Sequence, residues 1–525
     1  MTDLSRRSLL RGSAGMGLAA LSAGTVARPA ASLVRTGQPM LTHGVQSGDP
    51  EAGAITLWSR ADRPARLVAE VSSDSSFRRV LRRMSTPVVT AGSDFTGQLR
   101  MHGLPSGADL HYRITPVDPD NPKLVGEPML GRFRSAVTDR RPIRFLWSGD
   151  IAGQGWGVNP DLGGFPIARA MAAANADFFL SSGDNVYADG PVKPEVVLPD
   201  GRVWHNVVTP EKSHAAITLD DFRGQFRYNL VDENRTWREF LANCAIVAQW
   251  DDHEVLNNWY PGEVLVGRSG YPDGTPVDPL VARARQAFHE YMPISRTSPD
   301  RLGRVYRKLS YGPLLDVFVL DMRSHKDPNT TDLETVDDGG ILGPEQTEWL
   351  IRELKRSRAT WKVIANDLPL GLVVRDSTEG KPNQESISNG DPGAPKGREI
   401  ELARVLTELK RAGVRNHVWL TADVHYTAAH RYHPDRAAYQ EFDPFWEFVS
   451  GPLNAGGFGP NALDATFGPE AVFVASPPRP GVSPLEGFQY FGQVDIDPQT
   501  EQLTVTLKGI NGQALFTQVL DPAAR

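Results

Sequence analysis

Five short segments of the sequence each end in side chains that could bind a metal ion. They read SGD (148–150), GDNVY (183–187), WDDHEVLNNW (250–259), LDMRSH (320–325) and ADVHYTAAH (422–430). Each segment follows a run of apolar residues and supplies carboxylates, an imidazole, a phenol or an arginine. Any one of them alone could be a polar turn or a charged loop after a strand. Together and in this order, they predict a metal centre.

A pair of metal ions needs one carboxylate that binds both ions and further donors for each of them. Asp184 ends a predicted strand and is placed to act as the shared carboxylate. Tyr187 follows it by three residues and can turn back onto the same site, where a phenolate favours a hard trivalent ion, above all iron(III). The remaining predicted ligands are carboxylates and one imidazole, namely Asp150, Asp252, Asp423 and His425.

Two metal ions a few ångströms apart can clamp a phosphoryl group and lower the pKa of a bound water, which then attacks phosphorus in line. His253 is not needed as a ligand, so it could contact the phosphate or protonate the leaving oxygen. We count His253, Asp252 and Arg323 as the catalytic residues. The alternative for Arg323 is an ion pair with a surface carboxylate.

The elements that must position these residues are strands alternating with helices from about residue 140 onward, a pattern typical of an α/β domain. Strands are predicted at 144–150, 177–184, 244–254, 314–323, 361–369, 417–425 and 446–452, and helices at 344–357 and 397–413. Such sheets bind ligands at the carboxyl ends of their strands, where five of these strands finish on Asp, Asn or His. Carboxylates gathered there would repel one another strongly without cations.

Residues 36–136 show short alternating segments separated by Gly, Pro, Asp and Ser, which predicts an N-terminal β-sandwich domain of immunoglobulin or fibronectin type. We find no set of catalytic or metal-binding residues in this segment, which predicts a structural or positioning role. We place the catalytic domain at 140–525, where the last stretch reads as three strands that complete a sheet edge.

The first 35 residues have the layout of an export signal. LSRRSLLRG (4–12) puts paired arginines before a weakly apolar stretch, and the small residues of VARPAASL follow. This arrangement predicts a twin-arginine signal and export by the Tat machinery to the periplasm or beyond. The apolar part is too short and too rich in Gly, Ala and Ser for a transmembrane anchor.

The composition is that of an ordinary soluble globular protein of 525 residues with a formal net charge of −7, which gives no support for a nucleic-acid-binding surface. The sequence carries no signal for an oligomeric state. Its single cysteine, Cys244, excludes a disulfide within the chain and lies in an apolar run, where a buried inert thiol is expected.

The motif order resembles that of the calcineurin-type metallophosphoesterases, purple acid phosphatases included, and is closer still to the PhoD-type alkaline phosphatase family. Three further segments resemble that family, namely THGVQSGDP (42–50), ILGPEQTEWL (341–350) and EFVSGPLNAG (447–456), so that the resemblance covers almost the whole chain after the predicted signal. It implies a metallophosphoesterase-like α/β (α+β) sandwich of β-sheets flanked by helices. The implied activity is that of a secreted phosphomonoesterase and phosphodiesterase containing Fe3+ and Ca2+.

By motif, the resemblance implies that Asp184 bridges the metals and that Tyr187 binds iron, with Asp252, Asp423 and His425 as further ligands. Two positions depart from the relatives. Some relatives carry a cysteine ligand where this chain has Asp150, and Cys244 lies elsewhere and does not substitute for it. The segment VIANDLP (363–369) occupies a place similar to that of a histidine motif in purple acid phosphatases. Its Asn366 and Asp367 offer oxygen donors, which fit calcium better than zinc.

Two alternatives remain open beside a general phosphatase. One is a dedicated phosphodiesterase that acts on phospholipid, as a phospholipase D-like enzyme does, or on teichoic acid or nucleotide diesters. The sequence does not distinguish these substrates, because specificity would lie in the long polar loops 190–240, 260–300 and 371–396. The other is a calcium-bearing surface-binding protein without enzyme activity. Structural calcium needs only oxygen ligands, so this alternative does not explain the tyrosine and the two histidines.

Overall fold

Two large β-sheets carry most of the molecule's core. The computed structural model describes residues 37–295, 303–336, 339–376 and 382–523, so the predicted export signal at 1–35 lies outside the described residues. The strands in chain order are β1 (Leu41–Glu51), β2 (Ala54–Ala61), β3 (Arg66–Ser72), β4 (Val80–Ser85), β5 (Thr96–His102), β6 (Asp109–Val117), β7 (Met129–Arg134), β8 (Ile143–Ser148), β9 (Phe178–Ser182), β10 (Glu195–Val197), β11 (Val203–His205), β12 (Ala245–Gln249), β13 (Val264–Leu265), β14 (Thr275–Pro276), β15 (Arg307–Tyr311), β16 (Leu315–Val319), β17 (Trp361–Ala365), β18 (His417–Thr421), β19 (Thr427–Tyr432), β20 (Phe445–Val449), β21 (Pro469–Ala475), β22 (Tyr490–Ile496), β23 (Leu503–Gly509) and β24 (Ala514–Leu520). The α-helices are α1 (Ile167–Ala173), α2 (Leu219–Asn229), α3 (Arg235–Asn243), α4 (Asp278–Tyr291), α5 (Gly343–Arg356) and α6 (Glu399–Arg411).

One sheet has nine strands in the order β24-β23-β22-β8-β9-β12-β1-β2-β5, and the other has seven in the order β15-β16-β17-β18-β20-β19-β21. Strands β8, β9 and β12 run parallel in the first sheet, and β16, β17, β18 and β20 run parallel in the second. All seven predicted strands are present, but each ends two to five residues earlier than predicted, and both predicted helices are confirmed to within two residues at each end. The three strands predicted at the C-terminus are also confirmed, as β22, β23 and β24 at the edge of the nine-stranded sheet.

Alternate residues of the central strands face two different cores. Val317 and Val363 of the seven-stranded sheet share one core with Phe145 and Leu180 of the nine-stranded sheet. Their neighbours Phe318 and Ile364 face the opposite way and pack with the apolar residues of α5 and α6. Because side chains alternate along a strand, apolar runs such as these are expected where both faces of a sheet are covered.

The segment predicted as a separate N-terminal sandwich contributes to two sheets. Strands β3, β4, β6 and β7 form a four-stranded sheet, whereas β1, β2 and β5 continue the nine-stranded sheet. The junction is a parallel pairing of Gly48 in β1 with Ile246 in β12. Pairing between strands so far apart in sequence leaves no local pattern, which is why the sequence does not reveal it. The immunoglobulin-like form of this segment stays a prediction.

Asp94 links this N-terminal segment to two helices through hydrogen bonds. Its carboxylate accepts hydrogen bonds from Arg60 of β2 (2.8 Å), from Arg227 of α2 (2.6 Å) and from the hydroxyl of Tyr291 of α4. Burial would raise the pKa of Asp94, but the bonds from Arg60, Tyr291 and Arg227 outweigh it and lower that pKa to about 2. The carboxylate is therefore ionised at neutral pH.

Among the described residues, no helix combines the length and the apolar character that crossing a membrane requires.

Candidate metal centre

Six aspartates occupy the same position relative to a parallel strand, two residues after its last residue. They are Asp150 after β8, Asp184 after β9, Asp251 after β12, Asp321 after β16, Asp367 after β17 and Asp423 after β18. The strands of each sheet are in register, with Ser148 beside Ser181 and Ser182 beside Gln249. Their carboxyl ends therefore lie together, and the sheet geometry brings the aspartates to one edge, as expected for an α/β ligand site.

Four of the predicted ligands adopt the left-handed backbone conformation. The φ angles are 65° for Asp150, 48° for Asp184, 64° for Asp423 and 57° for His425. This region is sparsely populated by residues other than glycine, and such residues cluster at functional sites, where the surrounding structure maintains them.

A first donor group consists of Asp150, Asp184 and His425, whose ligand atoms all lie within 4.8 Å of one another. The hydroxyl of Tyr187 is 2.8 Å from Nε2 of His425, which is 3.4 Å from Oδ1 of Asp150. His425 Nδ1 donates to the carbonyl of Gly456 at 2.5 Å, so Nε2 carries the lone pair that a metal ion requires. Burial lowers the pKa of His425 to about 4, which keeps the imidazole neutral.

Asp150 has the environment expected of a metal ligand. Both of its carboxylate oxygens are buried and have no hydrogen-bond partner among the described residues. Burial and the charge of Asp251 raise the pKa of Asp150 well above its usual range, and burial and Asp252 do the same for Asp184. Buried polar atoms are nearly always paired, so a cation at this position would supply the missing partner.

A second donor group consists of Asp184, Asp252 and His253. Asp184 therefore belongs to both groups, and its Oδ1 also accepts a hydrogen bond from the backbone N–H of His253 (3.1 Å). Burial would raise the pKa of Asp252, but the charges of His253 and Arg323 and the hydrogen bond from the Asn258 N–H (2.5 Å) outweigh it and lower that pKa. Asp252 is thus an ionised carboxylate beside the shared one.

His253 is fixed by a carboxylate and by a stacked ring. Its Nδ1 lies 2.6 Å from Oδ1 of Asp189, whose other oxygen accepts the Asn257 N–H at 2.8 Å. Its ring packs on that of Tyr187 with the centroids 4.1 Å apart. Burial would lower the pKa of His253, but Asp189 and Asp252 outweigh it and raise that pKa to about 9. The imidazolium is partly exposed, with 13% of its side-chain surface accessible, and can donate a proton.

Arg323 lies inside the centre with no exposed surface, so its predicted alternative as a partner of a surface carboxylate is wrong. Its guanidinium nitrogens lie near five carboxylates, at 2.5 Å from Asp251 and Glu385, 3.3 Å from Asp367, 3.7 Å from Asp423 and 4.0 Å from Asp252. This enclosure favours a role in holding the carboxylates over direct contact with substrate.

The predicted site residues all converge at this edge of the sheets, namely Asp150, Asp184, Tyr187, Asp252, His253, Arg323, Asp423 and His425. The sequence analysis missed Asp189 and Glu385. Asp189 follows Asp184 by five residues within the same motif, and that spacing could have indicated it. Glu385 follows no strand and gives no local signal. Oδ1 of Asn366, a predicted oxygen donor, is buried with no hydrogen-bond partner in the described part of the chain.

Cys244 is buried, as predicted, and burial raises the pKa of its thiol to about 12. It immediately precedes β12 and so lies at the opposite end of that strand from the carboxylates. This position confirms that Cys244 does not replace the cysteine ligand of some relatives.

Comparisons with known proteins show which proteins this chain resembles. A curated alkaline phosphatase D of Bacillus subtilis (strain 168) is 28% identical over 449 residues, which cover 80% of this chain and 70% of the relative. A solved structure described as "Structure of PhoD" matches with a TM-score of 0.67 at 22% identity, covering 91% of this chain and 90% of that one. A purple acid phosphatase isolated from yellow lupin (Lupinus luteus) seeds matches with a TM-score of 0.51 at 11% identity, covering 92% and 74%.

These two structural likenesses show a shared mixed α/β fold. The family model of the PhoD-like phosphatases matches residues 145–507, and that of their N-terminal domain matches residues 27–137. The first match alone covers more than half of the chain. The chain therefore belongs to the PhoD-like phosphatase family and is a phosphoric ester hydrolase.

Proposed function

We propose that this chain hydrolyses phosphate esters at a centre of two metal ions, iron(III) and calcium, with Asp184 between them. The observation that carries the proposal is that Asp184 lies with Asp150 and His425 in one group of donors and with Asp252 in a second group, whose third member, the protonated His253, is not counted as a ligand. A carboxylate shared in this way is what a pair of neighbouring ions requires, since two ions a few ångströms apart repel each other unless a negative group lies between them.

The buried charges support two cations of high charge. Seven carboxylates surround the site, six of them buried and Asp423 partly exposed, namely Asp150, Asp184, Asp251, Asp252, Asp367, Glu385 and Asp423. Arg323 balances one of these charges, while the charge of the protonated His253 is paired with Asp189. A trivalent and a divalent ion together supply five positive charges, which offset most of the six that remain if all seven carboxylates are ionised. Buried carboxylates without such compensation would be strongly destabilising.

The donor types suggest where each ion binds. Asp150, Tyr187 and His425 combine a carboxylate, a phenol and an imidazole, a mixed set that fits iron(III), with Asp184 as the shared ligand. Asp252 and Asp423 offer only oxygen, as does Asn366, and Ca2+ prefers oxygen ligands. An oxygen donor at position 150 in place of sulfur makes the iron site harder, which favours the trivalent ion.

When bound, the metal pair polarises the phosphoryl group and lowers the pKa of water. The chain's own residues supply the proton and the geometry. His253 presents Nε2 to the site because Asp189 holds Nδ1, so the imidazolium can protonate the departing ester oxygen and release it as an alcohol. The guanidinium of Arg323 lies within 4.0 Å of Asp252 and Asp423 and so helps to hold both carboxylates in place.

The direct test is elemental analysis of the purified protein together with its hydrolysis of 4-nitrophenyl phosphate and bis(4-nitrophenyl) phosphate. We expect about one iron and at least one calcium per chain, and turnover of both esters. Turnover of the diester alone would favour the dedicated phosphodiesterase. In Asp184→Ala, both metals and turnover should be lost, because both donor groups lose their common member, and full activity in this variant would refute the proposed centre.

We also propose export by the Tat machinery, supported by the paired arginines Arg6 and Arg7 and the small residues that follow. Replacing both arginines by lysine should retain the protein in the cytoplasm, where fractionation would detect it. The proposed domains are the N-terminal segment 36–136 and the catalytic part 140–525, and the two family matches at 27–137 and 145–507 support this division.

A further inference from the structure

A row of four rings runs along the centre. The ring of His253 lies 4.1 Å from that of Tyr187, which lies 6.2 Å from that of His425, and the ring of Phe458 lies 5.0 Å from His425 with an interplanar angle of 51°. Tyr187 and His425 are buried, whereas His253 and Phe458 at the two ends are partly exposed. Phe458 is therefore an apolar surface open to solvent immediately beside a proposed iron ligand.

The backbone holds Phe458 in this position from two sides. Its N–H donates to the carbonyl of His425 at 3.2 Å, and Nδ1 of His425 donates in return to the carbonyl of Gly456. The adjacent Gly457 exchanges hydrogen bonds with the segment 481–482, at 2.9 and 3.2 Å. The backbone of Phe458 is thus anchored to the residue on whose imidazole its ring packs, and the adjacent Gly457 is anchored to the segment 481–482.

We propose that Phe458 forms a subsite for the alcohol part of the ester and gives the enzyme a preference for aryl phosphate esters over alkyl ones. The inference rests on the proposed function, because it takes the phosphoryl group to bind at the metal centre. The ester's alcohol must then extend outward past the partly exposed rim. Beside His425 that rim is a phenyl ring, and aromatic rings pair favourably in tilted geometries with centroids about 4.5–7 Å apart.

Three other partly exposed groups at the centre are polar. His253 is an imidazolium, and Asp189 and Asp423 are carboxylates with 15% and 12% of their side-chain surfaces accessible. They offer hydrogen bonds to any alcohol but no apolar contact. A preference for an aromatic alcohol would therefore depend on Phe458. Removal of its ring should weaken the binding of aryl ligands and leave the binding of alkyl ligands unchanged.

Binding of two non-hydrolysable analogues, phenylphosphonate and methylphosphonate, tests this without relying on turnover. Their dissociation constants would be measured by calorimetry on the metal-loaded wild type and on Phe458→Ala, Phe458→Leu and Phe458→Trp. We expect Phe458→Ala to bind phenylphosphonate about 3- to 10-fold more weakly and methylphosphonate with less than about a twofold change. Phe458→Trp should retain the preference, and Phe458→Leu should fall between. Phe77→Ala, another half-buried phenylalanine in the N-terminal segment, should change neither constant.

Three results would overturn the subsite. Equal weakening of both phosphonates would mean that Phe458 acts only by holding His425, and unchanged binding of both would place the ring off the path of the alcohol. Failure of the wild type to bind either phosphonate or to cleave any phosphate ester would remove the proposed function and the subsite with it. If Phe458→Ala does not fold, the leucine and tryptophan variants decide the question by the same comparison.

Discussion

Asp150→Asn tests the claim that Asp150 is a buried carboxylate kept for a metal ion. Its two oxygens have no hydrogen-bond partner in the described part of the chain, and burial and Asp251 raise the pKa of its carboxyl group. A buried polar group without partners costs about 1–3 kcal/mol of stability, and a charged one costs more. In the metal-free protein the exchange removes that charge, so we expect the free energy of unfolding to rise by about 1–3 kcal/mol.

The pH dependence of this effect has a definite sign. The pKa of Asp150 is higher in the folded protein than the value of about 3.9 in an unfolded chain, so the folded metal-free protein binds more protons. Its stability therefore falls as the pH rises above about 4, by as much as about 1.4 kcal/mol for each unit of the shift. Asp150→Asn removes this contribution, and the stability of the metal-free variant should decline less with rising pH.

The assay is urea unfolding followed by tryptophan fluorescence, with protein treated with EDTA and with protein loaded with iron and calcium. Metal should stabilise the wild type by mass action and the variant far less. The variant should therefore be the more stable protein without metal, and the wild type the more stable protein with metal. Asp321→Asn is the matched control, because Asp321 is also buried two residues after a parallel strand. Its carboxylate accepts hydrogen bonds from the indole N–H of Trp250, the backbone N–H groups of Arg323 and Ser324 and the hydroxyl of Ser324. Asp321→Asn should therefore destabilise the protein with and without metal.

Two results would refute the reasoning. One is a metal-free Asp150→Asn protein that is less stable than the metal-free wild type, which would show that the carboxylate has favourable partners of its own. The other is equal stabilisation of both proteins by metal, which would mean that Asp150 is not a ligand.

Three further predictions concern other parts of the molecule. Tyr187→Phe should abolish the visible absorption band of the iron-loaded protein and lower turnover while the circular dichroism spectrum stays unchanged, and a surviving band would exclude the tyrosine as ligand. Asp189→Asn should lower kcat about 100-fold for phenyl phosphate and much less for 4-nitrophenyl phosphate, whose better leaving group needs less help from the His253 proton; equal losses would contradict this role. Asp94→Asn should reduce the free energy of unfolding by about 2–3 kcal/mol at pH 7, the equivalent of the fall of its pKa from 3.8 to about 2. Because that pKa is lowered in the folded state, the stabilisation is complete above about pH 4 and is lost as the pH falls through about 2, so the two proteins should converge in acid-unfolding measurements. Asp435→Asn, at a side chain with 86% of its surface accessible, should leave the free energy of unfolding at pH 7 unchanged.

Local sequence patterns were enough to predict the strands and their polar ends. An apolar run that stops at Asp150, Asp184 or Asp423 indicates a buried parallel strand followed by a turn, and parallel strands bring their carboxyl ends together whatever the rest of the chain does. The pairing of β1 with β12 and the contact of Glu385 with Arg323 could not be predicted in this way. Both join residues that are far apart in sequence, and neither leaves a periodicity or a spacing that a single sequence reveals.

The role of each strand-end aspartate is also decided by distant residues. Asp321 has hydrogen-bond donors for its carboxylate, and Asp251 and Asp367 lie against the guanidinium of Arg323, so these three have partners within the protein. Asp150 has none in the described structure, although its place after a strand is the same. The sequence predicts where the aspartates lie, and the protein's own donors then select which of them remain for metal. A strand-end carboxylate that the fold buries in a left-handed turn and leaves unpaired is costly to the metal-free protein, and this cost is expected to persist only where a bound cation offsets it.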